Sequence, residues 1–485
     1  MQRPTRRALL GQAAALAGLS MIDGARLLAA TGVSPDVAAR AARIPARAKS
    51  VIQLFMFGGP SQMDLFDYKP ELQRNAGKTV ELERRRGKVE PMAMLGSQRS
   101  FKQYGETGQW CSDAFRYIPA HMDKLAVLKS IQTDSFAHGS ALLQFNTGQI
   151  LQGHPALGAW LSHGLGSRND SLPSFVVMHD PRGGPISGPA NWSSGYMPAS
   201  YQGTLFRSTG DPVLNLSPSG SSFRAGLTRE MEREQIDALH ALNERHAASR
   251  PGHDVLEARD ATYDLAYRMQ ETAPEALDLS TEDPATLEMY GLNDPAPDHR
   301  LALPPGVFGR QCLIARRLVE RGVRCVQIYH GGGHQQQTWD AHHGVEENLA
   351  IHCPEVDRPI AALLEDLDRL GLLEETLVVW GGEFGRQPVS QAAGDGQIAS
   401  DAGRDHNPKA NTVWLAGAGV RPGSYGETDE IGAEAAVNVH HLRDLHATIL
   451  QLCGLDHHEL TYPFGGLNRR LTTVVEAFPI EGVMA

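Results

Sequence analysis

The sequence predicts an α/β protein: a mainly parallel sheet flanked by helices on both faces, with a partly helical insertion. Two observations lead there. Short apolar runs recur along the chain, most of them closed by glycine, proline or polar residues, as buried parallel strands are. Helical patterns lie between several of them, and strands alternating with helices build a sheet covered on both sides.

In chain order the N-terminus comes first. Arg6 and Arg7 stand directly before an apolar stretch, Ala8 to Ile22, and no acidic residue precedes Asp23. This is the layout of a twin-arginine export signal, assigned to residues 1–30. It predicts a periplasmic or secreted protein delivered by the twin-arginine export machinery. Gly11, Gln12, Gly18 and Ser20 make the stretch too short and too polar for a stable membrane span. An alanine-rich linker covers 31–49, and a single α/β domain covers 50–480.

The predicted strands are VIQLFMF (Val51 to Phe57), LAVLKSI (Leu125 to Ile131), SFVVMH (Ser174 to His179), VRCVQIYH (Val323 to His330), TLVVWGG (Thr376 to Gly382) and TVWLAG (Thr412 to Gly417). The clearest helices are Arg310 to Arg321, Val345 to Leu370 and His441 to Leu452. Residues 180–305 interrupt the alternation, first rich in Gly, Pro and Ser, then strongly helical, then Pro-rich. We read them as an insertion over one edge of the core.

Composition narrows the function. Lys+Arg 45 against Asp+Glu 56 gives a net charge of −11. An acidic chain without basic runs is unsuited to a phosphate backbone, which argues against nucleic acid as a partner. Five scattered cysteines, never paired as CxxC, exclude a disulfide framework or a zinc ribbon.

In an open α/β sheet, ligands gather at the carboxyl ends of the strands. Here those ends are rich in metal-ligand types. The strand ending at Tyr329 is followed by HGGGHQQQTWDAHHG, which carries His330, His334, Asp340, His342 and His343; the next strand is followed by GGEFGR, with Glu383 and Arg386. GRDHN then supplies Arg404, Asp405 and His406, and the first strand is followed by Asp64 and Asp67. In an extended segment Asp340 and His342 project to the same side, so an oxygen and an imidazole nitrogen can reach one cation. The predicted metal ligands are Asp64, Asp340, His342, Glu383, Asp405 and His406. Mixed carboxylate and imidazole donors suit one or two divalent ions, with zinc, manganese or iron preferred over calcium. Arg386 or Arg404 is placed to grip an ester oxygen, or to pair with a nearby carboxylate.

The strings LFMFGGPSQMDLFDYKPEL, SYQGTLFRS, GRQCLIARRLVERGVRCVQIYHGG, VVWGGEFGRQP, AGRDHNPKANTVWLAGAGV and DLHATILQLCGLDHHELTYPFGG resemble the exported family called domain of unknown function 1501. That family is treated as sulfatase-like, within the alkaline phosphatase superfamily. The resemblance implies that superfamily's core, with Asp340 and His342 or His343 as late ligands and His406 as the final one. It also places Glu383 where the superfamily has an Asp-His pair, and Asp64 as a substitute for a displaced first-strand aspartate. The (Cys/Ser)-x-Pro-x-Arg motif of formylglycine sulfatases is missing: Ser187-Gly-Pro-Ala-Asn191 lacks the arginine. A phosphatase-type nucleophile is sought instead in Thr133 or Ser135, with His138 as base or ligand and Ser61 as competitor. The expected function is an exported metal-dependent hydrolase of phosphate or sulfate esters, acting on a small anionic ester or a sulfated or phosphorylated glycan. The alternative is a non-catalytic, metal-containing binding protein for an anionic glycan or a partner protein.

Overall fold

The computed structural model describes residues 44–85, 88–208, 212–213, 228–248, 254–333, 335–390 and 398–485. The proposed export signal and most of the linker lie outside the described residues.

The first apolar run forms strand β1 (Ser50–Met56), with every residue buried. Alternation splits its side chains between two cores: Ile52, Leu54 and Met56 face one, Val51 and Phe55 the other. A hairpin of β2 (Thr79–Arg85) and β3 (Lys88–Ala93) stands outside the main sheet. The other predicted runs become β4 (Leu125–Gln132), β5 (Phe175–Met178), β7 (Cys325–His330), β8 (Thr376–Gly381) and β11 (Asn411–Ala416). To these the structure adds β6 (Thr204–Phe206), β12 (Gly423–Tyr425) and β13 (His440–His441), and a separate hairpin of β9 (Gly385–Ser390) and β10 (Arg404–Asn407). The main sheet runs β12-β4-β11-β8-β1-β7-β5-β6, with β13 pairing β4.

Strands β8, β1, β7, β5 and β6 are mutually parallel, as predicted. β11 departs from that pattern, running antiparallel to both β8 and β4. The cause is in the connection. A parallel return needs a crossover, usually helical, whereas the described residues between β8 and β11 form the β9–β10 hairpin and no helix. This reversal brings the residues just before β11 to the same edge as those just after β1, β4, β7 and β8.

Helices cover both faces. α1 (His138–Thr147), α2 (Leu157–Leu165) and α7 (Leu442–Leu452) bury Leu142, Trp160 and Leu445 against one face. α5 (Pro305–Glu320) and α6 (Val345–Arg369) bury Ile314, Leu318, Val356 and Leu363 against the other. Within residues 180–305 lie the edge strand β6 and the paired helices α3 (Arg229–Ala248) and α4 (Asp254–Leu277). Two buried glutamines, Gln53 on β1 and Gln327 opposite it on β7, both donate to Asn146 Oδ1, at 3.0 and 2.7 Å. All five cysteines are buried and unpaired. No helix among the described residues is long and apolar enough to cross a membrane.

Candidate metal centre

Four side chains meet at the carboxyl edge of the sheet: His138, Asp340, His342 and His406. His138 opens α1, one short turn after β4 ends. Asp340 and His342 lie on the loop after β7, and His406 sits on β10, brought over by the reversed path into β11.

Asp340 is the hub. Its Oδ1 lies 3.0 Å from His342 Nε2 and 3.0 Å from His406 Nε2, and its Oδ2 lies 3.2 Å from His138 Nε2. All three imidazoles therefore aim Nε2 at one point. Their other nitrogens face acceptors. His138 Nδ1 donates to Glu383 Oε1 at 2.6 Å, His406 Nδ1 donates to the Phe136 carbonyl at 2.7 Å, and His342 Nδ1 lies 3.7 Å from Asp405 Oδ1. For His138 and His406 an Nδ1 proton held in this way would leave the Nε2 lone pair for a ligand role. His138 Nε2 is buried and makes no hydrogen bond of ordinary geometry, an orphan that a cation would satisfy.

Burial and neighbouring charges shift the three groups in different directions. Burial works against a proton on His138, but Asp340 and Glu383 outweigh it and raise its pKa to about 9. Burial, reinforced by Arg386 and His138, lowers His406 to about 4 despite its hydrogen bond to Asp340. Burial favours neutral Asp340, yet Arg386 and the three imidazoles hold it well below the usual carboxylate range.

Several predicted roles change. Glu383 is fully buried and stands one step behind the centre, orienting His138 and accepting the Gly58 N–H through both oxygens, at 3.0 and 3.1 Å. Gly58 is needed there: its φ is +114°, and a Cβ would lie 2.5 Å from the Asp340 nitrogen. Asp64 is not in the cluster; its oxygens accept from Arg404 at 2.8 and 3.2 Å and from Ser61, a fully buried ion pair. Asp405 stays behind the imidazoles, where its Oδ1 accepts from the His406 N–H at 2.9 Å. Arg386 is turned inward, behind Asp340, and is fully buried. Its guanidinium is buried and donates to Asp340, to Gly58, Gly59 and Trp339 carbonyls and to the Arg404 carbonyl. Of the candidate hydroxyls, Ser135 accepts from the Ala137 N–H at 3.1 Å, whereas Thr133 Oγ1 is buried without a hydrogen-bond partner.

Sequence reasoning passed over a second cluster, His330, His352 and Glu355, all buried. The i, i+3 spacing of His352 and Glu355 on α6 was its available signal. Here Trp339 Nε1 donates to His330 Nδ1 at 3.0 Å, so the ring's own proton sits on Nε2 and is given to Glu355 Oε2 at 2.8 Å. Glu355 also receives Arg182 through two donors, at 3.1 and 2.9 Å, and the Leu303 N–H at 2.6 Å. That chemistry fills every lone pair a cation would need. The adjoining cavity, of about 10 Å³, is no larger than one water requires.

The sequence family agrees with the quoted strings. The chain belongs to the DUF1501 family. Its family model, described as a protein of unknown function, matches residues 48–484. No curated protein matches this DUF1501 chain in sequence. Among solved structures it is similar to an alkaline phosphatase from the Antarctic bacterium TAB5, with 12% identity over 85% of this chain and 99% of that one and a TM-score of 0.33. A sulfatase from Pseudoalteromonas sp. has 11% identity over 93% and 76%, TM-score 0.32, and a phosphonate monoester hydrolase from Silicibacter pomeroyi has 12% over 71% and 69%, TM-score 0.31. Scores this low carry no argument about the site, and the α/β assignment stands on the chain's own sheet order.

Proposed function

We propose that this DUF1501 protein is a metal-dependent hydrolase of phosphate or sulfate esters, working without a formylglycine. The observation that carries the reading is the convergence of three Nε2 atoms on Asp340, with His138 and His406 each backed by an acceptor at Nδ1. His138, Asp340, His342 and His406 would hold the ion. Three nitrogens and one oxygen suit zinc, manganese or iron in a single site. Bound there, the ion supplies Lewis-acid polarisation of the ester.

The chain's own residues do the rest. Glu383 and the Phe136 carbonyl keep His138 and His406 in one tautomer and orientation. Arg386 fixes the Asp340 carboxylate from behind at 2.7 Å. Thr133 has a buried hydroxyl without a hydrogen-bond partner, and its N–H donates to the carbonyl of Pro408, two residues after His406, at 2.8 Å. This hydroxyl, or a water, attacks the ester.

The test is metal analysis of the purified protein, followed by turnover of aryl phosphates, phosphodiesters and aryl sulfates by wild type and by Thr133→Val and Ser135→Ala. Failure to bind any of the three metals after reconstitution would sink the reading. Metal without turnover would establish the second reading, a binding protein, which the complete burial of Arg386 favours. Export by the twin-arginine route to the periplasm or beyond belongs to the same proposal. Replacing Arg6 and Arg7 by lysine should leave the precursor in the cytoplasm.

A further inference from the structure

Beside the candidate centre lies a cleft of about 200 Å³, several times the ~30 Å³ share of one water. It opens between β2, the β9–β10 hairpin and the turn at 429–434. Phe136 joins it to the centre, because this residue lines the cleft while its carbonyl holds His406. Gln387 and Lys409 flank the strand positions of Arg386 and His406 in the same hairpin region.

The lining has a definite chemistry. Gln387 is 8% exposed, its amide nitrogen donates to the Glu83 carbonyl at 3.2 Å, and its Oε1 is buried without a donor. Asp429 spends Oδ1 on the Ile431 and Ala433 N–H groups, at 3.2 and 2.7 Å. Glu83 and Glu434 add two carboxylates, against a single ammonium, Lys409, which lies 2.8 Å from Glu83 Oε2. Phe136, 41% exposed, supplies an apolar surface. A cleft of this kind asks for hydrogen-bond donors from its occupant. Its excess of carboxylates repels a further anionic group. It is also no ammonium cage, since one aromatic residue lines it where such sites gather several.

We propose that this cleft binds the alcohol part of the ester, and that this part is an uncharged polyhydroxylated group such as a pyranose ring. The inference rests on the ester-hydrolase reading of the adjoining centre. Hydroxyls would donate to Gln387 Oε1 and the Asp429 and Glu434 carboxylates, with the ring's C–H face on Phe136.

Binding can be read without turnover. The zinc-loaded protein is titrated with methyl pyranosides, and in parallel with choline and ethanolamine, by ligand-observed NMR. At least one pyranoside should bind, and Gln387→Leu should weaken it about tenfold, the equivalent of one hydrogen bond near 1.4 kcal/mol. Asp429→Asn, checked for unchanged metal content and melting temperature, is the second variant and should weaken it as well. Preference for choline or ethanolamine, no pyranoside binding, or binding untouched by both substitutions would overturn the proposal. A separate series compares kcat/KM for a sugar ester with that for an aryl ester. Pyranoside binding without turnover of either would overturn the role as leaving-group site, through failure of the hydrolase reading, while leaving the polyol site standing.

Discussion

Two imidazole and carboxylate clusters lie back to back across the pair Trp339–Asp340, and they differ in what faces the second nitrogen of each ring. In the edge cluster Nδ1 of His138 and of His406 meets an oxygen, at 2.6 and 2.7 Å, and all three Nε2 atoms turn to the one carboxylate of Asp340. In the inner cluster an indole N–H occupies His330 Nδ1, and Arg182 closes the carboxylate. The same residue types thus yield a group that could hold a metal ion in one place and a closed hydrogen-bonded network in the other. The teaching is that a metal site is recognised by its second hydrogen bonds, and counting histidines does not find it.

The strongest way to break the comparison is to remove the hub of the edge cluster. Asp340→Ala should lower metal affinity by more than about a hundredfold, the upper range for losing a supporting residue alone, and abolish ester turnover. Chelator competition and metal analysis check it. In the inner cluster the matching change, Glu355→Ala, should leave metal content intact. It should cost about 3–5 kcal/mol in chemical denaturation, because buried Arg182 loses one of its two carboxylates.

Acidity separates the clusters next. The folded pKa of His138, about 9, lies above its ordinary value of 6.5. Its protonation therefore stabilises the metal-free protein fully below pH 6.5, and that contribution, up to about 3 kcal/mol, is lost as the pH rises through 9. Metal binding runs the other way, gaining about tenfold per pH unit until pH 9 as the competing proton leaves. Denaturation of the metal-free protein and metal titrations across this range should show opposite slopes, and parallel slopes would refute the assignment of His138 as a ligand. The smallest effect is expected from Glu383→Gln, which keeps an acceptor for His138 but removes its charge. Metal affinity should fall about 10- to 100-fold with the fold intact.

Much of the fold was legible in the sequence because buried strands announce themselves by apolar runs with hard stops. β1, β4, β7 and β8 formed within two residues of their predicted limits. The direction of β11 was not read, although the lack of a helical pattern between Gly382 and Asn411 was the cue. Of the predicted ligands the structure brings Asp340, His342 and His406 to one point, beside His138, which was expected as base or ligand. Glu383, Asp405 and Asp64 were assigned to the metal because the sequence cannot show what already occupies a carboxylate. For Asp64 the answer is Arg404, 340 positions away. The Phe136 carbonyl is invisible for a simpler reason: backbone acceptors have no residue type.

The reversed β11 has a further consequence. His406 meets Phe136 across 270 positions, on the segment that leads into β11, which pairs with β4. Long-range closure of this kind comes late, after the loop entropy of the intervening chain has been overcome. A nascent chain that has emerged only as far as the β8 strand lacks one of the four ligands altogether. Any ion held by all four side chains is therefore captured only after the chain through β11 has been made and has closed on β4.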